Sequence, residues 1–169
     1  MRDVRALRGG RVFRAIKGAI RLATRPFFRV VHFSVQNDHV HLIVEAPDNE
    51  ALTRGMRGLT IRLARTINRV TGHQGRVWGD RYHVQALSTP RQVRNTLLYV
   101  LANFRKHLHV TPRPALDPCS SARWFDGWTH PPPEGPPEHP PTAAPRTWLL
   151  ATGWRRHGLL SPAAAPGSS

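Results

Sequence analysis

Two histidines one residue apart, in Asn37-Asp38-His39-Val40-His41-Leu42-Ile43-Val44-Glu45, are the first residues whose types and spacing could do chemistry. The stretch reads as a polar turn followed by an alternating strand. Side chains repeat every second residue along a strand, so His39 and His41 project from one face and Val40, Leu42 and Val44 from the other. Two neighbouring imidazoles are half a metal site. The chain holds a single cysteine, Cys119, which excludes an intramolecular disulfide and a cysteine-rich zinc module and leaves histidine as the source of soft ligands. Cys119 itself receives no role.

A second chemical group stands out by its position on a helix. Thr89 as N-cap, Pro90 at the first helical position and Gln92 three residues after the cap mark a helix start, and the pattern runs to about Leu108. Val93, Leu97, Leu101, Phe104 and Leu108 form its apolar stripe. With Leu97 at zero, Tyr99 falls near 200° and Asn103 near 240°, away from that stripe and on a shared face. Taken alone, such a tyrosine is an ordinary exposed side chain.

The elements that must position these groups follow from periodicity. Residues from about 2 to 23 alternate apolar and basic positions at helical spacing, weakened by Gly9 and Gly10 and ended by Pro26. Phe27 to Val35 reads as a strand with Phe27, Val31, Phe33 and Val35 on one face and Val30, His32 and Ser34 on the other. The short Gln36-Asn37-Asp38 link makes it an antiparallel hairpin with the His39 strand. Asp48-Asn49 then caps a helix whose stripe, Leu52, Met56, Leu59, Leu63, Ile67 and Val70, stops at Gly72. Arg54, Arg57, Arg62, Arg65 and Arg69 lie largely opposite that stripe, as a solvated or a phosphate-tracking face. A glycine-rich loop precedes a further expected strand, Arg81 to Leu87. Trp78 and Tyr82 beside Arg76 and Arg81 suit either a small sheet core or the stacking of unpaired bases. His32 and His83 are read as packing or hydrogen-bonding residues, and Glu45 as either a support for the histidines or a surface carboxylate.

Length and charge bound the rest. The chain has 169 residues and a formal charge of +15, from 25 Lys plus Arg against 10 Asp plus Glu. One domain with a tail is expected, and nucleic acid is the first partner such a balance indicates. No apolar run approaches a membrane span and no signal-peptide pattern opens the chain, so a cytoplasmic protein is expected. Residues 111–130 read as a packed C-terminal extension and 131–145 as a proline-rich linker. Residues 146–169 read as a short basic and aromatic segment with a disordered tail.

The stretches FRVVHFSVQNDHVHLIVEA, RVWGDRYHVQAL and VRNTLLYVLANFRKH together resemble the single-tyrosine HUH transposases. These are the insertion-sequence-200-like class and its REP-associated relatives, and the likeness covers roughly residues 11 to 110. The resemblance implies an α+β, ferredoxin-like antiparallel sheet with helices packed on it, in a domain spanning residues 1–110. It implies a transposase that nicks and rejoins single-stranded or hairpin DNA, and a homodimer. Carried over by position, His39, His41 and Asn103 would bind a divalent metal, Mg²⁺ or Mn²⁺, and Tyr99 would be the nucleophile. Trp78, Arg81 and the five arginines at 54, 57, 62, 65 and 69 are the candidate DNA contacts. Residue chemistry agrees, because a phenol of pKa about 10 is only about 0.1% ionised at neutral pH and needs a polarised electrophile. A divalent ion supplies that polarisation.

The chain also departs from the resemblance. It starts about where the first strand of the family sheet would end, so that central strand is expected to be missing. Phe104 follows Asn103 where REP-associated relatives carry proline. Two other readings therefore stand beside the first: a non-catalytic basic nucleic-acid-binding protein, and a simple histidine metal-binding module.

Overall fold

The computed structural model describes residues 7–79, 81–102, 116–130 and 139–163. Helix α1 spans Gly10–Ala23, strand β1 Arg29–Val35, strand β2 Val40–Glu45, helix α2 Asn49–Thr71, helix α3 Pro90–Ala102 and the one-turn helix α4 Trp148–Ala151. The fold is α+β, built on one two-stranded antiparallel sheet. Asn103, Phe104 and Leu108 lie outside the described residues.

Local signals set the element ends. The Asp48 side chain accepts from Ala51 N at 2.7 Å at the start of α2, and Gly72 ends it in the left-handed conformation at φ 69°. At the start of α3 the capping box is reciprocal, with Thr89 Oγ1 accepting from Gln92 N at 3.2 Å and Gln92 Oε1 accepting from Thr89 N at 3.2 Å.

The sheet separates two cores. Ile16, Ile20, Phe28, Val30, Phe33, Val35, Leu59, Leu63 and Ile67 fill the space between the hairpin and the α1–α2 pair. Val31, Ile43, Leu97, Leu98, Leu101, Phe125, Trp128, Trp154 and Leu160 fill the opposite side, beneath α3. Fully burying each such side chain contributes roughly 1.5–3 kcal/mol.

The strand faces differ from the alternation expected of β1. Val30 pairs with Val44 and His32 with Ile43, which leaves Val31 as the extra residue of a β-bulge. The bulge moves Val31 into the α3 core, while Val30 joins Phe33 and Val35 on the α1–α2 side. Phe27, expected on one face with Val31, Phe33 and Val35, is 50% exposed, and it is Phe28 that is buried with Phe33 and Val35. Arg81 to Leu87 forms no strand either. The segment is irregular and largely exposed, because strand propensity is realised only against a ladder partner.

The C-terminal part of the chain covers the outer edge of β1. Val35 N donates to Cys119 O at 2.8 Å, Ser121 N to Phe33 O at 2.9 Å and Ala143 N to Val30 O at 2.8 Å. Arg8 and Asp117 form a bidentate pair at 2.6 and 3.1 Å that fastens the start of the chain to this segment. Glu45, at the end of β2, is 9% exposed and accepts from Arg146 N, Thr147 N and Thr147 Oγ1 at 2.7–3.1 Å. It is an anchor for the C-terminal arm. The outer edge of β2 shows no strand partner among the described residues.

Two glycines of α2 separate packing from propensity. A β-carbon at Gly55 would collide with the Phe28 ring, whereas one at Gly58 would meet nothing within 4 Å. Gly55→Ala is therefore expected to destabilise the fold by about 1–3 kcal/mol through overpacking, while Gly58→Ala stabilises it by roughly 0.5–1 kcal/mol. Urea denaturation of both variants checks the opposite signs.

His32 makes stability depend on pH. Its Nδ1 lies 3.3 Å from Ser121 Oγ and its ring meets Phe125 edge-on at 5.3 Å. Desolvation outweighs the attraction of Asp126 and lowers its pKa from 6.5 to about 4. The folded state thus favours the neutral ring, and its contribution is complete above pH 6.5 and lost as pH falls towards 4. The loss amounts to at most about 3 kcal/mol. In His32→Asn, which does not titrate there, the decline in stability across that window should be shallower by a comparable amount.

Candidate active site

His39 and His41 lie on the face of β2 that also carries Ile43 and Glu45, as strand geometry requires. Ile43 belongs to the core beneath α3, so the packing of Leu97, Leu98 and Leu101 draws that helix onto the histidine face. Tyr99, off the stripe, comes out beside it. Its ring meets the His41 ring edge-on at a centroid distance of 5.0 Å, and the side chain is 43% exposed.

The two imidazoles converge. His39 Nε2 and His41 Nε2 are 3.1 Å apart, with the rings at 81° to each other. Two nitrogen ligands at roughly 2.1 Å from one ion, subtending an angle between octahedral and tetrahedral, stand about 3.0–3.4 Å apart. The pair therefore fits two adjacent ligand positions. Asp38 Oδ1 lies 2.7 Å from His39 Nδ1. With that carboxylate accepting from Nδ1–H, Nε2 keeps its lone pair facing His41. Among the described residues no group of three or more His, Cys, Asp or Glu side chains gathers around one point. The third expected ligand, Asn103, is of another type and lies outside them.

These groups open into a cleft of about 1830 Å³ between β2, the 78–87 segment, α2, α3 and the C-terminal arm. That exceeds the few hundred to about 1,000 Å³ usual for small-molecule pockets. His39, His41, Tyr99, Arg81 and Trp78 all line it. Trp78 is half-buried against the α1–α2 core and donates from Nε1 to Thr60 O at 3.3 Å. Tyr82 and His83 line the cleft as exposed residues of an irregular segment.

The arginines of α2 are not brought to this place. Arg54, Arg57, Arg62, Arg65 and Arg69 are exposed, and none lines the cleft, which meets α2 through Asn49, Leu52, Met56, Leu59, Thr60 and Leu63. The sequence reading missed the contact of Asp38 with His39, although their adjacency was visible. It also missed the arm's contribution of Thr147, Leu149, Leu150 and His157 to the wall. Glu45 holds the arm at a sequence distance that no local pattern reveals.

Comparison with curated proteins and with solved structures finds no match to this chain. The family model described as "Transposase IS200 like" matches residues 12–103, more than half of the chain. That span begins in α1, takes in the hairpin and α2, and ends one residue beyond the described part of α3. It thus contains the converging imidazoles and the tyrosine that meets them, and the chain belongs to the IS200-like transposase family.

Proposed function

We propose that this transposase cuts and rejoins one strand of single-stranded or hairpin DNA with Tyr99 as the nucleophile. The observation that carries the reading is the meeting of Tyr99 with His41 beside the 3.1 Å pair of Nε2 atoms. His39 and His41, with Asn103, would hold Mg²⁺ or Mn²⁺. When bound, the ion polarises the scissile phosphate and offsets charge developing on its oxygens.

The chain's residues do the rest. Tyr99 sits on a helix whose buried stripe fixes its position, so the phenol is presented to the cleft at little entropic cost. Its oxygen forms a bond to phosphorus as the bond from phosphorus to the 3′ oxygen breaks. The phenol gives up one proton and the departing 3′-hydroxyl gains one, leaving a 5′-phosphotyrosine link. One phosphodiester replaces another, so the reverse step needs no ATP. Arg81 and Trp78 line the cleft, and Arg81 would contact phosphate there. The five arginines of α2 face elsewhere and would engage flanking DNA beyond the reacting nucleotide. Asp38 positions His39 by fixing its tautomer.

Two measurements test this. Incubation with Mn²⁺ and end-labelled hairpin DNA should yield a covalent adduct on denaturing gels that Tyr99→Phe abolishes while DNA binding persists. An adduct surviving in that variant would sink the assignment. Asp38→Asn should weaken Mn²⁺ binding, followed by electron paramagnetic resonance without DNA, by about 10–100-fold. Unchanged Mn²⁺ affinity would remove Asp38 from the site.

A further inference from the structure

The C-terminal arm carries an aromatic surface that the cutting chemistry does not use. Trp148, the first residue of α4, is 53% exposed although it is the bulkiest apolar side chain type. Its ring is nonetheless held in place. A β-carbon at Gly153 would lie 2.7 Å from the ring, so the indole rests directly on backbone, and the Arg156 guanidinium stacks at 4.9 Å from its centroid. Glu45 fixes the residues just before it through Arg146 N and the Thr147 donors. The platform is therefore fastened to the end of the strand that bears the histidines.

Its location is as informative as its shape. Thr147 and Leu149, the sequence neighbours of Trp148, line the cleft that holds His41 and Tyr99, and so does His157 beside Arg156. Trp148 and Arg156 do not line the cleft themselves, but each is one residue from a position that does. Residues 139–163 contain Arg146, Arg155 and Arg156 and no Asp or Glu. An exposed aromatic ring with a stacked guanidinium, on an arm whose own charged residues are all basic although Arg155 pairs with Asp126, is complementary to a nucleobase on a phosphate backbone.

We infer that Trp148 and Arg156 form a stacking site for an unpaired base of the DNA strand as it leaves the cleft. This rests on the reading of single-stranded DNA as substrate and adds a second contact point remote from the chemistry. A base stacked there would set the strand's exit path, so its identity matters little and its unpaired state matters greatly.

Fluorescence anisotropy of a labelled oligothymidylate, with the full chain in metal-free buffer, tests the site. Trp148→Ala should weaken binding about tenfold while the logarithmic salt slope stays unchanged, because stacking releases no counterions. Trp148→Phe should recover most of the affinity, and binding to a duplex of equal length should not respond to either change. Wild-type affinity in Trp148→Ala would overturn the inference and leave the catalytic reading standing. So would a loss that Trp148→Phe fails to restore and that accompanies a lowered thermal midpoint, or an effect confined to self-association in sedimentation. Absence of oligothymidylate binding by the wild-type chain would overturn the inference, while the adduct assay on hairpin DNA decides the catalytic reading separately.

Discussion

The structure depends on one packing constraint: α3 buries Leu97 and Leu101 against Val31 and Ile43, on the side of the sheet to which His39 and His41 also point. Everything chemical in the cleft follows from it. The buried face of α3 also takes in Leu98 and Ala102, roughly 100° and 140° from Leu97, so Tyr99 at about 200° emerges at its margin. Ile43 is two residues from His41 on the same strand face, so the margin of the α3 contact is where the imidazoles stand. The β-bulge at Val31 is part of the same constraint. It hands one large side chain to the α3 core without taking Val30, Phe33 or Val35 from the core on the other side.

The two sheet edges have been treated differently. The outer edge of β1 is closed by Cys119, Ser121 and Ala143, which join its backbone at 2.8–2.9 Å. Along β2 the cleft takes the corresponding place, and Val40, Leu42 and Val44 are only partly buried there. A sheet edge without a partner exposes backbone donors and acceptors. Among the described residues the outer edge of β2 has no strand partner, and the histidine face opens into the cleft.

What could be read from the sequence was local. The capping residues of α2 and α3, the stop at Gly72, the hairpin with its short turn and the position of Tyr99 off its stripe all depend on neighbours within one or two turns. The failures share the opposite property. Arg81 to Leu87 has the composition of a strand, but a strand exists only with a partner, and its pattern carries no record of one. Alternation over Phe27 to Val35 cannot reveal a bulge, because inserting Val31 depends on what the facing strand and α3 can accept. Glu45 and Thr147 meet across about a hundred residues, and Arg8 and Asp117 across a similar span. Neither pairing leaves a periodic trace. Around the cleft, the shared face of the two histidines and the position of Tyr99 off its stripe were legible from spacing, their roles came only from the resemblance to the family, and the separation of the α2 arginines from the cleft required the packing of α2 to be known.

The use of acidic residues explains how so basic a chain can fold and still attract a polyanion. Each of the six acidic residues described has a local task. Asp48 caps α2, Asp117 holds Arg8, Glu45 anchors the arm, Asp126 pairs with Arg155, Glu50 with Arg54, and Asp38 contacts His39. Three of these tasks fasten the C-terminal arm or the segment leading to it, where an unbalanced cation or a loose backbone would weaken the packing on α3. The acidic side chains are thus committed to holding the structure together, and the excess of Lys and Arg is left on the outside. Exposed like charges on α2 repel one another, and phosphates bound there would relieve that repulsion and release counterions. The electrostatic cost of the free state and the attraction for DNA would then be the same feature, so that affinity for DNA would rise as ionic strength falls while the buried Arg8–Asp117 and Glu45 contacts change little.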